Sequence, residues 1–381
     1  MTGLGTRSLR DEVCALCAAA LDGAPLAERE LETLLAIDDE ILAGEVFAAA
    51  RRARAAHFGD GVFLYGFVYF STYCRNACAF CYYRAGNPMS PRYRKTVEEV
   101  VAVCEGLAAS GVDLLDLTMG EDPVIHGEPG YRTLLDLVSA VRAATGLPVM
   151  VSPGVLPDAA LRDLRAAGAD WYALYQETHT PELYARLRVG QAFGARAAAR
   201  RGARAAGLLV EDGMLTGIGD TAADRARSVA AMRDEAWEQV RVMTFVPQEG
   251  TPLAGVPPQG DLAELLTIAV LRLVLPDRLI PASLDVDGIR GLERRLLAGA
   301  NVVTSIVPPA TGLAGVSNAV LDIDEGYRTV AGVLPHLERL GLRPAGPAAY
   351  CLTLERLRAS AAGRGAAASA AAAPPPKEAP A

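Results

Sequence analysis

The sequence predicts an α/β protein: a closed parallel (β/α)8 barrel of the TIM type with an N-terminal helical extension. Three observations lead there. From residue 62 onward, eight strand-like runs alternate with helical patterns, the order that builds a parallel sheet. Several of those runs are continuously apolar, as expected of strands buried on both faces. Several helical patterns stop at a glycine, at Gly111, Gly146, Gly168 and Gly207, the usual left-handed helix cap. A doubly wound open sheet is the alternative that the same alternation allows.

Taken in order, residues 1–57 read as the helical extension. Leu16, Ala20, Leu21 and Leu26 give one apolar face, Glu28 to Ala36 forms a second helix, and a third begins at Ile37 and runs to about Ala56. Cys14 and Cys17 form a C-x2-C pair with no second pair nearby, and read as helix-face residues. The barrel spans 58–358. Its expected strands are Val62–Phe70, Leu114–Met119, Pro148–Ser152, Trp171–Gln176, Met214–Ile218, Val240–Phe245, Leu279–Leu284 and Val302–Ile306. The helices between them are Thr96–Ala109, Tyr131–Ala144, Pro157–Ala167, Pro181–Ala206, Ala222–Ala236, Asp261–Leu275 and Ile289–Ala298, with a last one from Gly326 to Leu340. Residues 359–381 are rich in alanine, glycine and proline, hold little that is large and apolar, and are expected to be a disordered tail.

Composition narrows the function. Of 381 residues, 51% are hydrophobic, enough for a large core, and the formal net charge of −8 argues against a nucleic-acid footprint. No apolar stretch reaches the length of a membrane span, and Met1 to Arg10 lacks the apolar core of a secretion signal. Seven cysteines in so long a chain do not make a disulfide scaffold. The expected location is the cytoplasm, with no membrane or nucleic-acid partner.

The chemistry centres on Cys74-Arg-Asn-Ala-Cys78-Ala-Phe-Cys81, directly after the first strand. The C-x3-C-x2-C spacing lets three thiolates reach one metal centre from a single loop. Soft thiolates suit iron–sulfur clusters and zinc. Zinc needs a fourth ligand, and the nearest histidines are His57 and His126. Three ligands leave one metal position open. Polar and glycine-rich segments gather at the C-terminal ends of the other strands, where a barrel places its site: Met119-Gly-Glu-Asp122, Ser152-Pro-Gly154, Gln176-Glu-Thr178, Pro247 to Pro252 and Ser283-Leu-Asp285.

This pattern resembles the radical S-adenosylmethionine (SAM) superfamily. The segments 67–83, 116–123, 173–178, 187–191, 241–253, 280–285 and 299–306 are similar to the methylornithine synthase family, lysine mutases of pyrrolysine biosynthesis related to biotin synthase and to the hydrogenase maturases. The resemblance runs from about residue 25 to about residue 350. It implies a 4Fe–4S cluster on Cys74, Cys78 and Cys81, whose open iron chelates the amine and carboxylate of SAM. It implies that a 5′-deoxyadenosyl radical takes hydrogen from L-lysine, whose skeleton fragments and recombines to (3R)-3-methyl-D-ornithine, with an electron donor such as flavodoxin or ferredoxin. The expected SAM contacts are Phe80, Gly120, Glu121, Glu177, Arg188 and Arg196.

Lysine carries one carboxylate and two ammonium groups, so a buried site needs about one cation and two anions. Arg241 is expected to fork onto the carboxylate, Asp285 to take the α-ammonium, Asp116 the other ammonium, and Ser152 and Ser283 to add hydroxyls; the resemblance points to the same positions. Two other readings stay open. One is another biotin synthase-like radical SAM enzyme with a different amino-acid substrate; a sulfur inserter would carry an auxiliary cluster, yet Cys14, Cys17, Cys104 and Cys351 sit on no expected strand end. The other is a scaffold with a purely structural cluster.

Overall fold

The computed structural model describes residues 8–317 and 320–371. Eight parallel strands form the barrel: β1 Gly61–Ser71, β2 Leu114–Met119, β3 Val149–Ser152, β4 Trp171–Ala173, β5 Leu209–Thr216, β6 Gln239–Thr244, β7 Pro281–Ser283 and β8 Val302–Ile306. Hydrogen-bonded neighbours run β6-β5-β4-β3-β2-β1-β8-β7. A parallel bridge between Gln239 and Leu279 joins the two ends of that path, so the ring closes and the open-sheet alternative falls. A short ninth strand, β9 Arg343–Pro344, pairs with the start of β1.

The expected strands are all present, with boundary differences that have physical causes. β5 starts at Leu209, not Met214. Glu211-Asp-Gly213 carries no strand-like apolar run, yet both carboxylates are wholly buried. Tyr175 and Arg241 engage Glu211, and Arg200 engages Asp212. The expected helix Pro181–Ala206 is two helices, Pro181–Leu187 and Phe193–Ala205. The break brings Arg188 and Gln191 down to the cysteine loop.

The N-terminal helices Leu9–Leu21, Glu28–Leu35 and Glu40–Phe58 lie over the barrel helices Ala222–Glu235 and Leu262–Val274. They cover the outer side of Leu262–Val274, whose residues Glu264 to Leu273 are all buried; a helix sealed on both sides is apolar nearly all round.

Helix Pro347–Ala371 was not foreseen. It runs past residue 359, the expected start of the tail. Alanine is the strongest helix former, and Tyr350, Leu354 and Leu357 anchor the helix under the barrel with Phe63, Tyr65, Leu114, Met150 and Trp171. Residues 372–381 lie outside the described residues. The barrel axis is thus graded: an apolar floor closed by Tyr350, charged side chains above it, and the cysteine loop at the open end.

Candidate active site

The cysteine loop leaves β1 and is pinned from several sides. The Arg92 guanidinium donates to the carbonyls of Thr72, Tyr83 and Arg84 at 2.5, 2.9 and 2.6 Å. Asn87 Nδ2 donates to Tyr82 O at 2.8 Å, and the Ala79 amide donates to Leu187 O at 2.7 Å. Cys78 is buried, and Cys74 and Cys81 are partly so. Cys78 Sγ accepts from Gln191 Nε2 at 3.1 Å and faces an Arg188 nitrogen at 3.5 Å. Burial first, then the nearby Cys78 and Cys74, push the Cys81 thiol up to about 12. Cysteine binds metal as thiolate, so a cation at the centre of the loop offsets that shift. Among the described residues no three Cys, His, Asp or Glu side chains form a site for a single metal ion. A cubane takes each thiolate on a different iron, so its ligands stand farther apart than those of one ion. A soft, three-thiol donor set on one loop fits that group.

Beside the loop lie the expected SAM residues. Arg188 and Glu177 form a buried ion pair at 2.5 Å, and the Arg188 guanidinium stacks on the Phe80 ring at 5.3 Å. Glu177 is thus already engaged on one oxygen. Its backbone sits at φ +70, a left-handed conformation uncommon outside glycine and often found at functional sites. Arg196, which sequence alone leaves open as an exposed helix arginine, is buried and donates to Tyr175 O at 2.6 Å. Glu121 accepts from Arg75 Nε at 3.0 Å and from the Val155 amide at 3.1 Å. Glu121, Arg196, Arg75 and Gln191 border a cavity of about 460 Å³.

A second cavity, about 760 Å³, occupies the mouth of the barrel. Phe80, Cys81, Ser152, Glu177, Arg241 and Asp285 all line it, so residues far apart in sequence meet there. Its remaining wall is largely apolar, with Phe67, Leu215, Met243 and Phe245. Asp116 and Ser283 are buried in the strands beneath. Asp116 Oδ1 accepts from Thr118 Oγ1 at 3.1 Å. Burial, with help from Glu211 and Asp285 and against Arg241 and Thr118, raises the Asp116 carboxyl to about 7. The Ser283 hydroxyl accepts from the Asp285 amide at 3.2 Å.

Sequence reasoning missed four participants. Glu211 holds Arg241 Nε at 2.8 Å; its signal was two-residue spacing with Gly213 and Leu215, hidden by the turn-like composition. Tyr175 donates to Glu211 Oε2 at 3.1 Å and stacks under the Arg241 guanidinium at 5.4 Å. Arg328 donates to Asp285 Oδ1 at 2.9 Å; it comes from beyond β8, and no local pattern marks it. Gln191 follows the helix break.

The family model of the Radical SAM superfamily matches residues 68–232. With the closed barrel and the three-cysteine loop, this defines the class: a radical SAM enzyme, whose cofactors are a 4Fe–4S cluster and SAM. The chain is 46% identical to a 3-methylornithine synthase of Methanosarcina barkeri over 335 residues, covering 88% of this chain and 95% of that one. It is 45% identical to the 3-methylornithine synthase of Methanosarcina acetivorans over 87% of this chain and 93% of that one. A crystal structure of methylornithine synthase (PylB) superimposes with a TM-score of 0.84 at 46% identity, covering 89% of this chain and 99% of that one. The [FeFe] hydrogenase maturase subunit HydE of Thermotoga maritima is more distant, at 30% identity over 72% of this chain and 78% of its own. The chain belongs to the 3-methylornithine synthase family.

Proposed function

We propose that the enzyme isomerises L-lysine to (3R)-3-methyl-D-ornithine, the first step of pyrrolysine biosynthesis. The observation that carries the substrate is the charge inventory inside the barrel. Arg241 and Arg328 face Asp116, Glu211 and Asp285, two cations against three carboxylates; Asp322, 4.0 Å from Arg328 and partly exposed, is solvated and outside the count. With all three carboxylates ionised the surplus is one negative charge, and lysine at neutral pH carries one positive charge. Burying an unmatched charge is costly, so this interior suits a diamino acid better than a neutral one.

In this reading Arg241 holds the substrate carboxylate. Its Nε is taken by Glu211, while its buried Nη2 has no partner. Asp285 accepts from the α-ammonium and Asp116 from the side-chain ammonium, with Ser152 and Ser283 as hydroxyl partners. Cys74, Cys78 and Cys81 hold the cluster. SAM lies against Phe80, Gly120, Glu121, Glu177, Arg188 and Arg196. Bound together, cluster and SAM supply the 5′-deoxyadenosyl radical that abstracts hydrogen. The protein's part is to fix the substrate chain beside that centre and to exclude water and stray hydrogen donors with the apolar wall. The electron is supplied by a donor such as flavodoxin or ferredoxin, in the cytoplasm. Among the described residues no helix is long and apolar enough to cross a membrane.

The test is an anaerobic incubation of the reconstituted enzyme with lysine, SAM and reductant, followed by mass spectrometry of the amino acids. Methylornithine with the mass of lysine but a shifted retention time is the expected product. SAM cleavage without any new amino acid, with lysine present in excess, refutes the substrate.

A further inference from the structure

We infer that Glu211 is a positioning and specificity-determining residue: it locks the Arg241 fork for a carboxylate and supplies the negative charge that makes the site accept a diamino acid. The inference rests on the lysine reading above. Its basis is geometric. Glu211 on β5 is wholly buried. One oxygen accepts from Arg241 Nε on β6 at 2.8 Å, and the other accepts from Tyr175 Oη at 3.1 Å. The Arg241 guanidinium carbon stands over the Tyr175 ring, 5.4 Å from its centroid. Gly213, next on the same strand face, leaves the room that ring needs; a Cβ there would stand 2.8 Å from Tyr175 Cδ1. Arg241 is therefore held on its Nε side and by its face, while Nη2 is left buried without a partner in a residue that lines the cavity. A held guanidinium loses little freedom when a carboxylate arrives.

The charge matters as much as the clamp. Without Glu211, Arg241 and Arg328 would cancel Asp116 and Asp285, and the interior would suit a neutral amino acid. With it, the interior carries one negative charge in surplus once Asp116 gives up its proton. The groups facing Asp116 are Arg241 from β6, Glu211 from β5, Tyr175 after β4, Asp285 after β7 and Thr118 on its own strand. Of these Glu211 is the foremost that disfavours the Asp116 carboxylate. An ammonium arriving at Asp116 therefore displaces a proton.

Three variants separate the clamp from the charge, each as anaerobically reconstituted holoprotein with SAM, titrated with L-lysine by calorimetry in two buffers of different ionisation heat. Wild type is expected to bind and to release about half a proton at pH 7, because a carboxyl near its pKa is half protonated. Glu211→Gln keeps a hydrogen-bond acceptor and loses the charge. Its proton release should fall toward zero, and the acid limb of kcat/KM should move to lower pH, with lysine affinity at least tenfold weaker. Glu211→Asp keeps the charge and withdraws the clamp. It should raise KM more than it changes kcat and leave the acid limb in place. If Glu211→Gln proves insoluble, Tyr175→Phe, which frees only the second oxygen, should still raise KM for lysine. Wild-type affinity and proton release in Glu211→Gln, or a wild-type KM in Tyr175→Phe where Gln is insoluble, overturns the inference. Failure of the wild-type protein to bind lysine with its cluster intact overturns the lysine reading instead.

Discussion

Gly120, at the end of β2, is pressed against Cys74 at the start of the cysteine loop: a Cβ on Gly120 would stand 2.8 Å from Cys74 Cβ and 2.3 Å from the Tyr73 carbonyl oxygen. Backbone cannot yield at such a distance, so the absence of a side chain at 120 sets where the first thiol stands. Gly120→Ala is expected to displace the loop while leaving the barrel intact. The measurement is iron and sulfide content after reconstitution, alongside far-ultraviolet circular dichroism. Less than half the wild-type iron with an unchanged spectrum is the expected pair; full loading would show that the loop shifts freely.

Cys78→Ala should remove the brown chromophore and all SAM cleavage. Cys78 is the most buried residue of the three, and its sulfur is approached by Gln191 and Arg188. Thiolates of one cluster act as a unit, so one loss costs nearly everything. Full SAM cleavage by this variant would place the metal elsewhere.

Asp285→Ala does more than remove a substrate contact. Arg328 is wholly buried and its Nε and Nη2 have no hydrogen-bond partner, so its bond to Asp285 is its main anchor. Breaking a buried pair from one side costs about 3–5 kcal/mol. The expected result is loss of methylornithine, retention of the cluster with some uncoupled SAM cleavage, and a denaturation midpoint well below wild type. Asp285→Asn should recover part of the stability but not the activity. Wild-type turnover in either variant removes Asp285 from the site. Arg241→Lys should be as severe for turnover, because an ammonium cannot make the forked pair.

Lysine binding should weaken as pH falls below about 7, where burial has placed the Asp116 carboxyl. The sign follows from which form binds: an ammonium needs the carboxylate, so protonation competes with it. For folding the sign is opposite. The native carboxyl holds its proton to higher pH than the unfolded one, so this group's effect on stability worsens as pH rises from about 4 to about 7. Asp116→Asn should bind lysine weakly at every pH and lose the acid limb. An unaltered acid limb in that variant would assign it to another group.

Tyr350 closes the barrel floor, its hydroxyl 2.8 Å from that of Tyr65 and its ring 5.1 Å from Phe63. Tyr350→Ala should cost about 3–5 kcal/mol, the range for emptying an aromatic site in a core, measured by urea denaturation. Deleting residues 372–381, which are mostly alanine and proline, should leave stability and turnover unchanged. A loss of more than a few fold in turnover would show that this segment docks on the enzyme.

By itself the sequence determined the barrel and the metal loop, because both are written locally. Strand and helix periods are read within ten or fifteen residues, and Cys74, Cys78 and Cys81 lie within one turn of chain. It also placed Asp116 and Thr118 on one face of a strand, since period two fixes which residues share a face once the strand is known. Tertiary structure alone decided the partners. Glu211 lies outside the expected strand because an isolated Glu-Asp-Gly is soluble and bends readily; only the arrival of Arg241, thirty residues on, and of Tyr175 makes it a buried strand residue. Arg328 finds Asp285 across forty-three positions, and Tyr350 finds Tyr65 across two hundred and eighty-five. A charge or a ring becomes buried through what closes over it, and in a closed barrel that closure is made by strands and helices distant in the chain.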